Sequence, residues 1–260
     1  MKILHVLPLI VIIILLSGCT TTQTGNEITD GSLAKVLTRG ELLVGVDAPY
    51  GLMEFINEEG EIDGLDIDIV KEIAEGMGVE LKVTDYDWEE MFEAVKSGEV
   101  DVAIASITIT TERQEDMLFS DPYFNAGQIL VIRTNDDSIK ILEDLAGKKV
   151  GAQKETTSLE EAEKYALEAV PYDGYGEDSG DILGDLKDGT IDAIIIDYVA
   201  SKDLVKDEPE IKILGEPFTQ EFYGIPTKLG NNALIEEINN ILRDMKREGK
   251  LKEIENAWLE

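Results

Sequence analysis

The chain of 260 residues has one cysteine, Cys19, and one histidine, His5. A single thiol allows no intrachain disulfide and no thiolate metal cluster. Because His5 lies in a segment read below as a removable signal, the mature chain lacks Ser-His and Cys-His nucleophilic pairs and zinc sets built on His or Cys. No stretch has the spacing of a calcium loop, and Asp66 and Asp68 in GLDIDIV read instead as a helix start, with Asp66 a candidate N-cap. No metal and no cofactor is therefore expected. Basic residues are also scarce: 23 Lys and Arg stand against 55 Asp and Glu, a formal charge of -32. Such a chain repels nucleic acid, and the excess acid reads as a solvated surface.

The one long apolar run, Ile3 to Leu16 after Lys2, is shorter than the roughly 20 residues that span a bilayer. It leads into Leu16-Ser17-Gly18-Cys19, which resembles a lipobox. This implies a lipoprotein signal over residues 1–18, cleavage before Cys19, lipid on its sulfur and an extracytoplasmic, membrane-anchored protein. Residues 19–32 are polar and read as a tether. About 240 residues then remain, enough for one large or two small domains.

Strand-like and helix-like segments alternate in that remainder. Leu42–Val46 and Val79–Thr84 are strand candidates, Ile67–Met77 a helix, and Trp88, Phe92 and Val95 mark a helix that stops at Gly98. The order predicts an α/β fold with mainly parallel sheets covered on both faces. One unit occurs twice, KSGEVDVAIA from Lys96 and KDGTIDAIIID from Lys187. Each has a helix end, a glycine, a β-branched residue, an aspartate and an apolar strand. The separation, about 90 residues, suits two similar lobes with a cleft between them. Later segments read as a short helix stopping at Gly147, a strand to Gln153, a helix opened by Thr156, Thr157 and Ser158, a short strand FYGIP and two C-terminal helices.

Open α/β sheets bind ligands at the carboxyl ends of their strands. The first repeat strand ends in Ala105, Ser106 and Thr108, followed by Arg113; the second ends in Asp197. Arg113 has the planar fork that grips a carboxylate, and the alternative is a surface pair with Glu112 or Glu115. Asp197 could accept from an ammonium group, and the alternative is an N-cap for the next helix. Together they match the two charges of a free α-amino acid. Trp88 and Tyr50 offer aromatic faces, although the spacing of Trp88 with Phe92 equally fits a core stripe. Asp47 ends the first strand as a possible acid for the ligand side chain or as a turn aspartate. Thr156 and Thr157 stand at a helix start, where free N–H groups suit an anion.

In order, the segments VGVDAPYGLMEF, GEIDGLDIDIVKEIA, SGEVDVAIASITITTERQEDMLFSDPY, DLAGKKVGAQKETTS, DGTIDAIIID and YGIP resemble the extracytoplasmic solute-binding proteins that deliver polar amino acids to ABC transporters. The resemblance spans roughly Leu33 to Trp258. It implies a two-lobed periplasmic-binding-protein type II fold, with residues 33–124 and 224–260 in one lobe and 125–223 in the other. Crossover strands are implied near Tyr123–Gly127 and Thr219–Tyr223. It also implies that Arg113 holds the ligand carboxylate with help from Ser106 and Thr108, and that Asp197 takes the ammonium. Tyr50 and Trp88 would enclose the side chain, Asp47 would meet its polar end, and Gln153, Thr156 and Thr157 would line the cleft. The implied protein is a monomer that binds a free polar or cationic amino acid and works with permease subunits. Two departures stand out: the first loop reads Gly51-Leu52-Met53-Glu54 where proline and phenylalanine are frequent, and position 155 is Glu where glycine is frequent.

The main rival is an enzyme on the same fold, a dehydratase of the cyclohexadienyl or arogenate type, since carboxyl groups alone can serve acid-base chemistry. The discriminator is an extra buried carboxyl of raised pKa beside the cleft. A receptor sensor domain is disfavoured, because the sequence carries no second membrane segment or signalling domain.

Overall fold

The computed structural model describes residues 30–166, 168–175 and 180–259. The signal segment, Cys19 and most of the expected tether lie outside the described residues. Among those described, no helix is long and apolar enough to cross a membrane.

Two sheets of five strands each are joined by a two-stranded ribbon. The first sheet has the order β4-β1-β5-β14-β6, built from β1 (Glu41–Val46), β4 (Glu80–Asp85), β5 (Val102–Ala103), β6 (Met117–Phe119) and β14 (Pro226–Lys228). The second has the order β10-β9-β11-β8-β12, built from β8 (Gln128–Arg133), β9 (Lys149–Gln153), β10 (Glu168–Tyr172), β11 (Ala193–Asp197) and β12 (Ile211–Leu214). The ribbon pairs β7 (Phe124–Ala126) with β13 (Glu221–Tyr223), and a small hairpin pairs β2 (Phe55–Ile56) with β3 (Ile62–Asp63).

Both sheets are mixed. In the first, β1 runs parallel to β4 and β5, while β14 opposes β5 and β6; in the second, β9 runs parallel to β10 and β11, while β8 opposes β11 and β12. The connections explain this. The parallel strands come from β-α-β crossovers, whereas β7 leads directly into β8 and β13 into β14, returning the chain in the opposite sense. The expected single strand FYGIP is accordingly split between β13 and β14 at Gly224. No side chain fits there, since a Cβ would stand 2.7 Å from the Ile109 side chain.

Helices α1 (Ser32–Arg39), α2 (Leu65–Met77), α3 (Trp88–Ser97), α4 (Thr111–Asp116), α8 (Asn232–Glu248) and α9 (Lys250–Leu259) surround the first sheet. The second is covered by α5 (Thr157–Tyr165), α6 (Ile182–Asp188) and α7 (Tyr198–Leu204). The continuous apolar runs follow from burial on both faces. In β8, Ile129 and Val131 enter one core cluster while Leu130 and Ile132 enter the other, and β11 divides Ile194 and Ile196 from Ala193 and Ile195 in the same way. On the first sheet, β1, α2 and α8 bury Leu42, Val44, Ile69, Ile73, Leu234 and Ile238 together, and α3 closes the other face with Met91, Phe92 and Val95.

The sequence repeat has a structural counterpart. Gly98 and Gly189 both end helices in the left-handed conformation, at φ 83° and 86°. Asp101 accepts from the Leu43 N–H of β1 at 2.9 Å and pairs with Arg39; Asp192 accepts from the Lys149 N–H of β9 at 3.0 Å and pairs with Arg133. Each aspartate thus pins its own strand to the start of the neighbouring parallel strand.

Two expectations are corrected. Asp66 is not the N-cap of α2, because Gly64 takes that place and the helix starts at Leu65. Gly64 has φ 138° and a Cβ there would lie 2.3 Å from the Met53 carbonyl oxygen, so only glycine lets the chain turn into the helix this early. The tether expected to reach residue 32 also ends sooner. The Asp30 carboxylate accepts from the Ser32 N–H of α1 and the Ala233 N–H of α8, both at 2.9 Å, and the Ser32 hydroxyl and these N–H donors hold its pKa down at about 2.

Candidate functional site

The chain leaves β5 through Ile104 and Ala105 and turns at Ser106, which takes a left-handed φ of 52°. Asp66 holds that turn from beneath: its Oδ2 accepts from the Ser106 N–H at 2.7 Å and from the Tyr123 hydroxyl at 3.0 Å. Burial raises the Asp66 pKa to about 7 against the pull of these donors. The Ser106 Oγ is buried without a partner. Thr110 then caps α4 by accepting from the Arg113 N–H at 3.1 Å. The Arg113 side chain turns inward, away from Glu112 and Glu115. It donates to the Thr108 carbonyl at 2.9 Å and to the Glu155 carbonyl at 3.2 Å, and its guanidinium carbon lies 5.3 Å from the ring centres of both Trp88 and Phe92. Burial lowers its pKa, yet an arginine remains cationic.

The second lobe supplies the opposing wall. After β9 the chain passes Gln153 and turns at Glu155 in the left-handed conformation, φ 57°, before Thr156 caps α5. That turn aims the Glu155 carbonyl at the first lobe, where it accepts from the Trp88 indole N–H at 3.1 Å as well as from Arg113. At the end of β11, Asp197 occupies the N-cap position of α7 but makes no cap bond. Its Oδ2 accepts from the hydroxyls of Tyr50, at 2.9 Å, and Tyr223; its Oδ1 accepts from the Gln128 amide at 2.5 Å. Burial and the nearby Glu221 carboxylate push its pKa up to about 7, opposed by Tyr223, Tyr50 and Arg113.

Between these walls lies a small cavity, whose empty space together with its opening to solvent is about 380 Å³. Asp47, Tyr50, Trp88, Ala105, Ser106, Thr108 and Arg113 line it from the first lobe, and Gln153, Thr156, Thr157 and Asp197 from the second. The structure therefore brings every candidate residue to one place. Trp88 packs edge-on against Phe92, centroids 4.9 Å apart, and also lines the cavity. Asp47 stands at the far end, where it accepts from the Gln153 amide at 3.3 Å across the cleft. Burial raises its pKa to about 6, with Gln153 opposing and Asp85 and Asp87 adding to the rise. Beyond it the cleft widens into a mouth lined by Asp85, Asp87, Glu89, Glu90 and Asp173. Lys154 in that mouth pairs with Glu89 at 2.6 Å and Asp173 at 3.0 Å.

The threonine hydroxyls at the two strand ends have partners within the protein. Thr108 donates to Glu221 at 2.6 Å, Thr157 donates to Glu221 at 2.8 Å, and Thr156 donates to the Gln153 carbonyl at 2.7 Å. A hydroxyl has one hydrogen, so none of these three is free to donate to a ligand carboxylate. Donors that could serve an anion include the guanidinium, the Ser106 hydroxyl and the free N–H groups of the first turn of α5.

Glu54, Ser158 and Tyr175 also line the cavity, and Gln128, Glu221 and Tyr223 hold its walls. The sequence did not point to them: Gln128, Glu221 and Tyr223 stand in short strands and Glu54 beside one, Tyr175 lies in a bend, and Ser158 reads only as part of the start of α5. The available signal was a polar group inside an apolar run, as in Met53-Glu54-Phe55 or at the head of Gln128–Ile132. Glu54 is almost wholly buried, and burial together with Asp66 and Asp47 raises its pKa strongly. It is the extra carboxyl named as the mark of an enzyme, so cleft geometry alone does not separate the two readings.

A two-lobed α/β protein with a guanidinium and a carboxyl group facing one small cavity has the form of a cleft ligand binder. Residues 42–260 match the family described as bacterial extracellular solute-binding proteins, family 3, and the chain belongs to that family. It is 32% identical to the L-cystine-binding protein TcyJ of Escherichia coli (strain K12) over 246 residues, covering 94% of this chain and 91% of that protein. It is 34% identical to the ABC transporter glutamine-binding protein GlnH of Bacillus subtilis (strain 168) over 258 residues, covering 95% and 93%. Among solved structures, an ancestral arginine-binding protein bound to glutamine is 40% identical with a TM-score of 0.78, over 85% of this chain and 98% of that one. The ancestral amino acid-binding protein AncCDT-1, a precursor of cyclohexadienyl dehydratase, is 29% identical with a TM-score of 0.81, over 88% and 100%. Those curated relatives are named as binding proteins for cystine and glutamine and not as enzymes, and the family match places this chain among the bacterial extracellular solute-binding proteins.

Proposed function

We propose that the protein captures a free polar or cationic L-amino acid in the cleft between its lobes, closes on it, and delivers it to the permease subunits of an ABC transporter. The observation that carries this reading is Arg113 and Asp197 lining one cavity from opposite lobes. The arginine takes the α-carboxylate and the aspartate the α-ammonium, so a ligand must touch both lobes. Ligand that contacts both walls favours the closed form, which is the differential affinity a population shift requires. Asp47 and the acidic mouth favour a positively charged side chain, because they draw a cation toward the cleft and can receive it at the far end. Glutamine and arginine, found in related structures, are the first ligands to try.

The protein works as a monomer on the outer side of the cell membrane, held by lipid on Cys19. Replacing Cys19 with serine should move it from the membrane fraction to the soluble one; retention at the membrane would count against the anchor.

Calorimetry with L-arginine and L-glutamine tests the ligand assignment. Arg113→Ala should weaken binding by at least about a hundredfold, the scale of losing a buried bidentate charge pair, while the protein stays folded. Asp197→Asn should also weaken it. Wild-type affinity in either variant would remove that residue from the site.

A further inference from the structure

Glu221 has no part in the function described so far, yet it sits where the lobes meet. It belongs to the crossover strand β13, paired with Ala126 of the other crossover strand, and is 7% exposed. The ribbon lies against the first lobe: Thr108 and Tyr223 form an isolated antiparallel bridge, and the Ile109 N–H donates to the Phe222 carbonyl at 2.9 Å. This places one Glu221 oxygen, Oε2, between the Thr108 hydroxyl of the first lobe at 2.6 Å and the Thr157 hydroxyl of the second at 2.8 Å. Thr219 reaches the other oxygen at 3.3 Å.

The polarity of these bonds is fixed. A carboxylate oxygen only accepts, so both hydroxyl hydrogens point at Glu221, and what Thr108 and Thr157 turn to the cavity is oxygen lone pairs. Thr157 additionally accepts from the Gln128 amide nitrogen at 3.2 Å, and that same nitrogen donates to Asp197. Thr108, Thr157 and Asp197 are thereby gathered at one end of the site as acceptors. An ammonium group, which only donates, matches that end; a carboxylate does not.

We propose that Glu221 is a positioning residue: by taking the hydrogens of Thr108 and Thr157 it makes both hydroxyls acceptors on the side of the cleft that holds Asp197 and so fixes which way round an amino acid binds. The inference rests on the amino-acid reading above. It adds that orientation is enforced from the hinge, by a residue that does not line the cavity. Both hydroxyl bonds also require the lobes to be together, so the same carboxylate ties recognition of the ammonium to closure.

The test compares L-arginine with 5-guanidinopentanoate, the same molecule without the α-ammonium, by calorimetry on the wild-type protein and Glu221→Gln. In the variant an amide NH₂ replaces one acceptor oxygen and turns a threonine hydrogen toward the cavity. L-Arginine should then bind about ten- to a hundredfold more weakly, the usual worth of a hydrogen bond to a charged group, whereas the analogue should change by less than about threefold. An unchanged L-arginine affinity, or equal weakening of both compounds, overturns the role of Glu221 while leaving the amino-acid reading intact. If the wild type binds none of the common L-amino acids or L-cystine, the amino-acid reading falls and this inference with it. Should Glu221→Gln fail to fold, Thr108→Val removes the acceptor directly and should weaken L-arginine but not the analogue; L-arginine binding within twofold of wild type overturns the proposal.

Discussion

Glu155 shows how one residue's backbone can join two lobes. Its left-handed φ of 57° turns the carbonyl toward Trp88 and Arg113, and its side chain is exposed, so substitutions there report on the backbone alone. A left-handed conformation costs an ordinary residue about 1–2 kcal/mol and a β-branched one more, while glycine avoids it at some entropic cost. Glu155→Gly should therefore be neutral or stabilising by up to about 1 kcal/mol, and Glu155→Val destabilising by about 1–2 kcal/mol, in urea unfolding monitored by circular dichroism. Equal stability of the two variants would mean that the turn is not held in this conformation. Legibility at this scale followed exposure to the strand ends. Arg113 and Asp197 could be named as candidates because each follows an apolar strand, with a surface ion pair and an N-cap as the competing uses. Glu54 and Glu221 could not, because a buried acid beside a two-residue strand or within a three-residue one leaves no periodic trace.

At the level of elements, the repeated glycine and aspartate were readable because helix stops and buried strands have local signatures. The mixed direction of the sheets was not, since it depends on where the crossover ribbon re-enters each lobe. The repeat also supports a quantitative comparison. Asp101 is 4% exposed and satisfies both the Leu43 N–H and Arg39, whereas the Asp192 side chain is 28% exposed and can be replaced in part by water. Truncating a buried acceptor leaves its donors unpaired, at about 3–5 kcal/mol for a buried ion pair and about 1 kcal/mol for a solvated one. Asp101→Ala should accordingly destabilise the protein several-fold more, in kcal/mol, than Asp192→Ala, as read from urea midpoints at constant slope. Equal losses would show that the two strand starts are held by something other than these carboxylates.

For the whole molecule, the closed arrangement buries acids whose charge is only worth having when a ligand is present. The Asp197 pKa stands at about 7, raised first by burial and then by Glu221, with Tyr223, Tyr50 and Arg113 opposing; that of Asp47 stands at about 6. For a carboxyl raised above its unfolded value of about 3.9, the native state holds the extra proton between the two values, so stability without ligand falls as pH rises through that window. An α-ammonium beside Asp197 favours the carboxylate and lowers its pKa again. Binding then releases a proton wherever Asp197 is still protonated, and affinity should tighten by up to about tenfold per pH unit from pH 5 toward 7. A side-chain cation beside Asp47 adds a second release below about pH 6, so L-arginine should show a steeper slope at pH 5 than L-glutamine, whose side chain is neutral. Calorimetry in buffers of different ionisation enthalpy counts these protons directly. If neither ligand releases any at pH 5.5, Asp197 is not neutralised by the ammonium. If both release the same number, Asp47 does not face the ligand's side chain, and the preference for a cation must come from the acidic mouth alone.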